Sequence, residues 1–474
     1  MTEPNKSMSF IRLTLSLVIA LTMLCTVLTE VKAQPFMNIR DMQIANAHRC
    51  YLLLQKGDFA NAHNLFDQQM KSEFPADSLK KFWEVFGKKA GRIVRQFDQK
   101  IDVDPDDSTL VTIVKSIRCS TGNWDLRFTY HNSPEIDGFY IAPFKPRYEK
   151  RAYTVPDYVH PDSVKERDII IGKGTEWETK GTFTLPLALG KYPVIIIIHG
   201  SGPLDQDGTY VANKPYADLA WGLASRGIGV LRFPKRTREY YREIREKKVD
   251  ITPDFESIQD AIAAFQAIKK HREADSNAIF FLGHGTGGTF LPKLIDSLPA
   301  IRGLVLLGAP SRPLEDVLLE QLEYVLSLDT INTREDSKRK LDKLRRQYQN
   351  VKDKNLTKDT PPERLLLDTP ASYWLALRGY NPAKTLAKSG KPALILRGNR
   401  DFQSTDKDFD LWQKTLVTKK NSHLYQFIKY PDLNYLFMDG VGQSTPAEYA
   451  IYDHVSVNVI EDIEFWVKEL LGKK

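Results

Sequence analysis

The segment Ala278-Ile-Phe-Phe-Leu-Gly-His-Gly-Thr-Gly-Gly-Thr-Phe290 opens as a run of apolar residues, turns through glycines and leaves as a helix. A short apolar run bounded by turn residues is the pattern of a strand buried on both faces. The glycines around position 285 permit a sharp strand-to-helix turn. Such a turn lifts its central residue above the sheet and leaves the next backbone N–H free to face a ligand.

On either side the chain alternates strand and helix. Val194–Ile198 is a second continuous apolar run and ends in His199-Gly200-Ser201-Gly202-Pro203. The pattern then gives a helix near Tyr216–Ser225, a strand Ile228–Phe233, a helix Ser257–Lys269 and, after the glycine turn, a strand Gly303–Leu307. It resumes with strand Ala393–Leu396, a helix near Phe409–Leu416, strand Leu424–Tyr430 and a closing helix through Ile463–Leu470. Arg167–Gly172 and Glu176–Leu185 read as an antiparallel pair in front. This is the pattern of an α/β fold, a mostly parallel sheet with crossover helices on both faces, over residues 165–474. Residues 314–388 depart from the alternation and read as a helical cap insertion. Within them Thr333–Lys358 is highly charged with weak apolar periodicity, a solvated face or, less simply, a site for an anionic partner.

Before residue 165 the period differs. Residues 38–98 read as helices, among them Ala45–Leu54, Asp58–Met70 and Ser78–Gly87. From Ile101 to Ala142 come β-branched and aromatic segments such as Leu110–Val114 and Trp124–Phe128, separated by turns. Residues 38–142 are therefore expected to form a small α+β domain, with 143–164 as linker. No internal repeat is present.

With 474 residues, 42% of them hydrophobic and 27% charged, the chain is globular in composition. Its formal charge of +7 is spread along the sequence, which gives nucleic-acid binding little support. Lys6 and Arg12 precede an uncharged run Leu13–Leu28, and Val31-Lys32-Ala33 supplies small residues at the two positions a signal peptidase reads. Residues 1–33 are thus expected to be a signal peptide, an uncleaved anchor being the alternative, and the protein to be periplasmic or extracellular. No later stretch is long enough to span a bilayer. The remaining cysteines, Cys50 and Cys119, could pair or stay as buried thiols. Histidines are scattered singly with no metal-ligand spacing, so no metal or other cofactor is expected.

From residue 165 onward the chain resembles the α/β-hydrolase superfamily, in particular a group of bacterial carboxylesterases with a small N-terminal α+β domain. The resemblance rests on the 199–203 turn with Asp205 and Asp207 after it, Lys235-Arg236, and Gly308-Ala-Pro-Ser-Arg-Pro-Leu-Glu-Asp316. Ser372-Tyr-Trp374, Gly398-Asn-Arg-Asp401 and a Leu433-Asn-Tyr-Leu-Phe437 segment complete it. It implies a Ser-His-Asp triad and an oxyanion-binding loop. The acid position holds Asp401, but the nucleophile position, within Gly283-His-Gly-Thr-Gly287, holds Gly285, and the base position holds Tyr435. Gln206 and Pro234 also depart from the group's pattern.

A glycine has no oxygen to acylate, and removing either serine or histidine from such a triad costs roughly a millionfold in turnover. The expectation is a carboxylesterase-like protein with little or no esterase activity. Gly200, Ser201 and Thr286 would retain an oxyanion-binding concavity, and the ligand would be a small acyl or carboxylate compound under the cap. The alternatives are an active ester hydrolase with a relocated nucleophile and base, drawn from Thr286, Ser201, His199, His284, His423 or His454, and a non-catalytic interaction module. Asp205 and Asp207 read as loop-ordering acids.

Overall fold

The computed structural model describes residues 38–104, 107–144, 152–328 and 334–472; the expected signal peptide lies outside them. They form two compact units, one of 38–89, 99–116 and 125–142, the other of 90–98, 117–124 and 143–472.

The first helix, Ile39–Lys56, is capped by Asn38 and ended by Gly57 at φ 74°. The helix expected over Asp58–Met70 is two, Phe59–His63 and Gln68–Glu73. Asp67 explains the break: its carboxylate accepts from the Met70 N–H at 2.7 Å and starts a new helix where periodicity alone ran on. After helix Ala76–Ala90, the reading of 38–98 as helical fails again. Gly91 at φ 70° ends the helix and the β-branched Ile93-Val94 begins strand β1, Ile93–Val103. Strands β2 (Leu110–Cys119), β3 (Gly122–His131) and β4 (Gly138–Pro143) complete a four-stranded sheet in sequential order.

The larger sheet has eight strands: β5 (Val164–Ile171), β6 (Thr179–Pro186), β7 (Tyr192–Ile198), β8 (Gly229–Arg232), β9 (Ala274–His284), β10 (Gly303–Leu307), β11 (Ala393–Gly398) and β12 (Tyr425–Tyr430). Their spatial order is β12-β11-β10-β9-β7-β8-β6-β5. β5 and β6 pair antiparallel, as does β6 with β8, and the remaining ladders are parallel. β7 and β9 are central and feed both faces. Ile196, Ile198 and Phe281 enter one apolar cluster, while Ile195, Ile197 and Phe280 enter another under the closing helix Val457–Leu470. That two-sided burial is why both strands read as unbroken apolar runs.

A helical cap lies between β10 and β11, with helices Leu314–Ser327, Arg334–Lys352, Ala371–Leu377 and Pro382–Ser389. The charged stretch of weak periodicity is mostly the second of these. Two short helices that the sequence did not suggest, Arg236–Glu239 and Tyr241–Glu246, follow β8. Among the described residues no helix is long and apolar enough to cross a membrane, and both Cys50 and Cys119 are buried free thiols.

Candidate functional site

β9 runs into the helix Thr286–Phe290 through Gly285, whose φ of 52° and ψ of −122° are open to glycine and strained for any residue with a side chain. A Cβ on Gly283 would lie 2.5 Å from Gly288, and one on Gly287 would lie 2.4 Å from the carbonyl oxygen of His199. The glycines thus let the elbow close against β9 and the 199–203 loop. The Gly285 N–H donates to the carbonyl of Leu307 on β10 at 2.8 Å, which fixes the turn on the neighbouring strand.

Tyr435 comes from the loop after β12. Asn434 shapes that loop, its side-chain oxygen accepting from the N–H groups of Leu436 (2.9 Å) and Met438 (3.3 Å), with Phe437 at φ 58°. The Tyr435 hydroxyl projects between two glycines. A Cβ on Gly285 would lie 2.3 Å from it, and one on Gly200 would lie 2.6 Å away. The tyrosine oxygen thus fills the volume in which a side chain at position 285 would begin, and neither glycine tolerates a Cβ while the ring stays there. Burial holds the phenol well above its ordinary pKa, with Tyr216 and Asp401 adding to the shift. It remains protonated, a donor and not a base.

Asp401 follows β11 and is 2% exposed. Its Oδ1 accepts from the N–H groups of Gln403 (2.7 Å) and Ser404 (3.1 Å), and its Oδ2 has no hydrogen-bond partner among the described residues. A Cβ on Gly308 would meet that Oδ2 at 2.8 Å and the Tyr435 ring at 3.7 Å, so positions 285, 435 and 401 converge on one spot. Desolvation outweighs the two N–H donors and pushes the Asp401 carboxyl up to about 7.

Of the two histidines beside the site, His284 is fully engaged, while the buried Nε2 of His199 has no hydrogen-bond partner among the described residues. His284 stacks on Tyr435 with ring centroids 4.1 Å apart. Its Nε2 is 2.8 Å from the Tyr435 carbonyl and must donate there, leaving Nδ1 to accept from the Tyr216 hydroxyl at 3.0 Å. Burial lowers it to about 4. His199, flanked by Tyr216 and Phe233, is buried and lowered to about 3, mainly by desolvation and then by Lys235. His454 bonds the buried Asp218 at 3.1 Å.

On the 199–203 loop the Gly200 N–H donates to the Tyr216 hydroxyl at 3.3 Å, and its carbonyl accepts from Lys235 Nζ at 2.8 Å. Ser201 Oγ and Thr286 Oγ1 lie 3.2 Å apart, and no imidazole among the described residues hydrogen-bonds either. Asp205 accepts from the N–H groups of Asp207 and Thr209, and Asp207 pairs with Lys214 and Arg232. Tyr216 carried no signal in the sequence: it sits in the first turn of a crossover helix, Pro215–Ala224, where an aromatic reads as core.

Between this loop and the cap lies a cavity of about 600 Å³. Ser201, Gly202 and Pro203 line one side, and Leu314, Leu318 and Trp374 are among the cap residues lining the other. Gly285, Asp401 and Tyr435 are absent from its lining. Glu256, in a π-helical turn Asp254–Ile258, reaches it with both oxygens occupied, by Lys235 Nζ (2.7 Å) and the Tyr373 hydroxyl (3.0 Å). No group of three or more His, Cys, Asp or Glu side chains able to hold a metal occurs among the described residues.

A mostly parallel eight-stranded sheet with this strand order, a glycine elbow after its central strand and a cap between its sixth and seventh strands define an esterase-like α/β-hydrolase fold. The chain belongs to that superfamily, in the family of esterase EstD from Thermotoga maritima. It is 31% identical to that protein over 419 residues, 87% of this chain and 92% of the relative. Among solved structures, Est1E from Butyrivibrio proteoclasticus is 14% identical (65% of this chain, 99% of that chain, TM-score 0.41). The esterase domain of a Rhodothermus marinus protein is also 14% identical (65% of this chain, 98% of that chain, TM-score 0.37). No family model matches the chain.

Proposed function

We propose that this is an exported member of its family that has exchanged ester hydrolysis for binding of a small acyl or carboxylate compound beneath its cap. The observation that carries the reading is the Tyr435 hydroxyl, 2.3 Å from where a Cβ on Gly285 would be. The losses of nucleophile and base are then one steric exchange, a tyrosine filling the space of a serine side chain. The fully engaged His284 and the orphaned Oδ2 of Asp401 support it further, since among the described residues Asp401 orients no imidazole toward the elbow. The relocated-nucleophile reading has the Ser201–Thr286 hydroxyl pair in its favour and lacks a base for it. The Gly200 N–H is engaged by the Tyr216 hydroxyl, so the concavity expected of Gly200, Ser201 and Thr286 is incomplete for a ligand carbonyl.

Hydrolysis of short- and medium-chain nitrophenyl esters tests this. Wild type is expected at the uncatalysed background. Gly285→Ser alone should also stay there, its side chain meeting the Tyr435 hydroxyl, while Gly285→Ser/Tyr435→His should gain turnover. Wild-type turnover well above background, abolished by Ser201→Ala or Thr286→Val, would establish a relocated nucleophile instead.

A further inference from the structure

The charges around the cap cavity are unevenly paired, and this unevenness points to the ligand. Four charged residues line it: Arg245, Lys248, Glu256 and Asp368. Glu256, at the end next to the 199–203 loop, is neutralised by the buried Lys235 and capped by Tyr373. Arg245 and Lys248, three residues apart at the end of helix Tyr241–Glu246, are exposed, and neither side chain has an ion-pair partner among the described residues. Between these ends the wall is apolar, with Ile244, Ile251, Leu314, Leu318 and Trp374 among its residues. The unpartnered neutral groups of the lining, Thr237 Oγ1 and Trp374 Nε1, are themselves buried.

The backbone of the rim is also unusual. Six non-glycine residues among those described have positive φ, and three of them, Lys248 (49°), Leu367 (55°) and Asp368 (50°), line this cavity. Side chains rarely adopt this conformation, and such residues gather at ligand clamps.

We infer that the cavity holds a monoanionic amphiphile, a free medium-chain carboxylate, with its head outward on Arg245 and Lys248 and its alkyl chain inward toward Trp374 and the 199–203 loop. This rests on the binding function proposed above and adds to it the ligand's charge and direction. The orientation reverses that of an ester whose carbonyl must approach the elbow. Among the described residues the inner end offers an anion no free cation, whereas the outer end offers two. Asp368 leaves the rim at a net single positive charge, which suits one carboxylate better than a dianionic phosphate ester. The cavity is within the size range of small-molecule sites.

Isothermal titration of octanoate, decanoate and dodecanoate beside 1-octanol and 1-decanol tests this on the wild-type chain and on Arg245→Ala/Lys248→Ala. Each pair of added methylenes should tighten binding by roughly tenfold or more until the cavity is filled. Carboxylates should bind on the order of tenfold more tightly than alcohols of equal length, an advantage that falls with added salt. The double variant should lose that advantage while binding the alcohols as wild type does. Equal binding of carboxylates and alcohols would overturn the inference and leave a neutral-ligand site standing. A carboxylate preference that survives in the double variant would overturn it too, and would place the head at the 199–203 loop. Binding of neither series would overturn this inference and the cavity-binding proposal together.

Discussion

At the level of single residues, Gly285 and Tyr435 constrain each other, and Asp401 carries the consequence. At φ 52° a serine adds strain of roughly 1–3 kcal/mol to its collision with the phenol, so Gly285→Ser alone should destabilise the protein. Adding Tyr435→His should recover part of that loss, because the obstructing hydroxyl is gone. Chemical denaturation of both variants checks this: equal stability of the single and double variants would mean that the ring moves aside without cost. Asp401 gives a pH signature. Its carboxyl is raised from 3.8 to about 7, so between about pH 4 and pH 7 the folded state retains a proton that the unfolded state has lost. Stability therefore falls as pH rises through that window, by at most about 4 kcal/mol, and the loss persists above it. Asp401→Asn keeps an oxygen for the Gln403 and Ser404 donors without the titration. Relative to wild type it should gain stability from pH 4.5 to about pH 7 and level off above it. An unfolding free-energy difference that stays flat with pH would mean that Asp401 is ionised throughout.

Among elements, the cap is fastened at its entrance by a buried carboxylate. Asp408 is 0% exposed; its Oδ1 accepts from the N–H groups of Ser311 (2.9 Å) and Arg312 (3.0 Å), and its Oδ2 from the Arg312 guanidinium (2.8 Å). Arg312 also reaches Glu320 on the first cap helix, at 2.6 Å. Asp408→Ala would leave these donors buried and unpaired and should cost about 3–5 kcal/mol. Exposed Arg345→Ala, whose pair with Glu323 is solvated, should cost under about 1 kcal/mol. Unfolding free energies of the two variants are the measurement, and equal losses would mean that the cap root is not held by Asp408. The elements of the α/β sheet were legible because β7 and β9 are buried on both faces and carry that fact in composition. The elbow was legible because close backbone approach admits only glycine at 283 and 287. Residues 93–98 were not, since a strand start after Gly91 competes with the helical spacing before it. Positions 285, 401 and 435 could be named from the order of motifs. That Tyr435 fills the space beside Gly285 depends on a ring placed by Asn434 and Phe437, and no spacing in the sequence encodes it. Tyr216, Arg245 and Lys248 were invisible for a related reason: their roles come from what lies across a loop or a cavity, not from their neighbours in the chain.

For the molecule as a whole, the proposed export would set a demand on the two free thiols. A protein carried into an oxidising compartment either pairs its cysteines or hides them, and here burial does the hiding. Desolvation pushes Cys50 up to about 12 and Cys119 up to about 11, far from the thiolate needed for exchange or alkylation. Cys50 lies on the first helix and Cys119 at the end of β2 in the four-stranded sheet, so modification of each reports the opening of its own element. Iodoacetamide at pH 8 should therefore modify neither cysteine in the native protein, and both in strong denaturant without reductant, as read by peptide mapping. In a denaturant series the order in which the two sites become reactive should rank the local stabilities of the first helix and of β2. Failure to label in denaturant until a reductant is added would reveal a disulfide and reverse this account, since the chain would then be held by a covalent link and not by buried thiols.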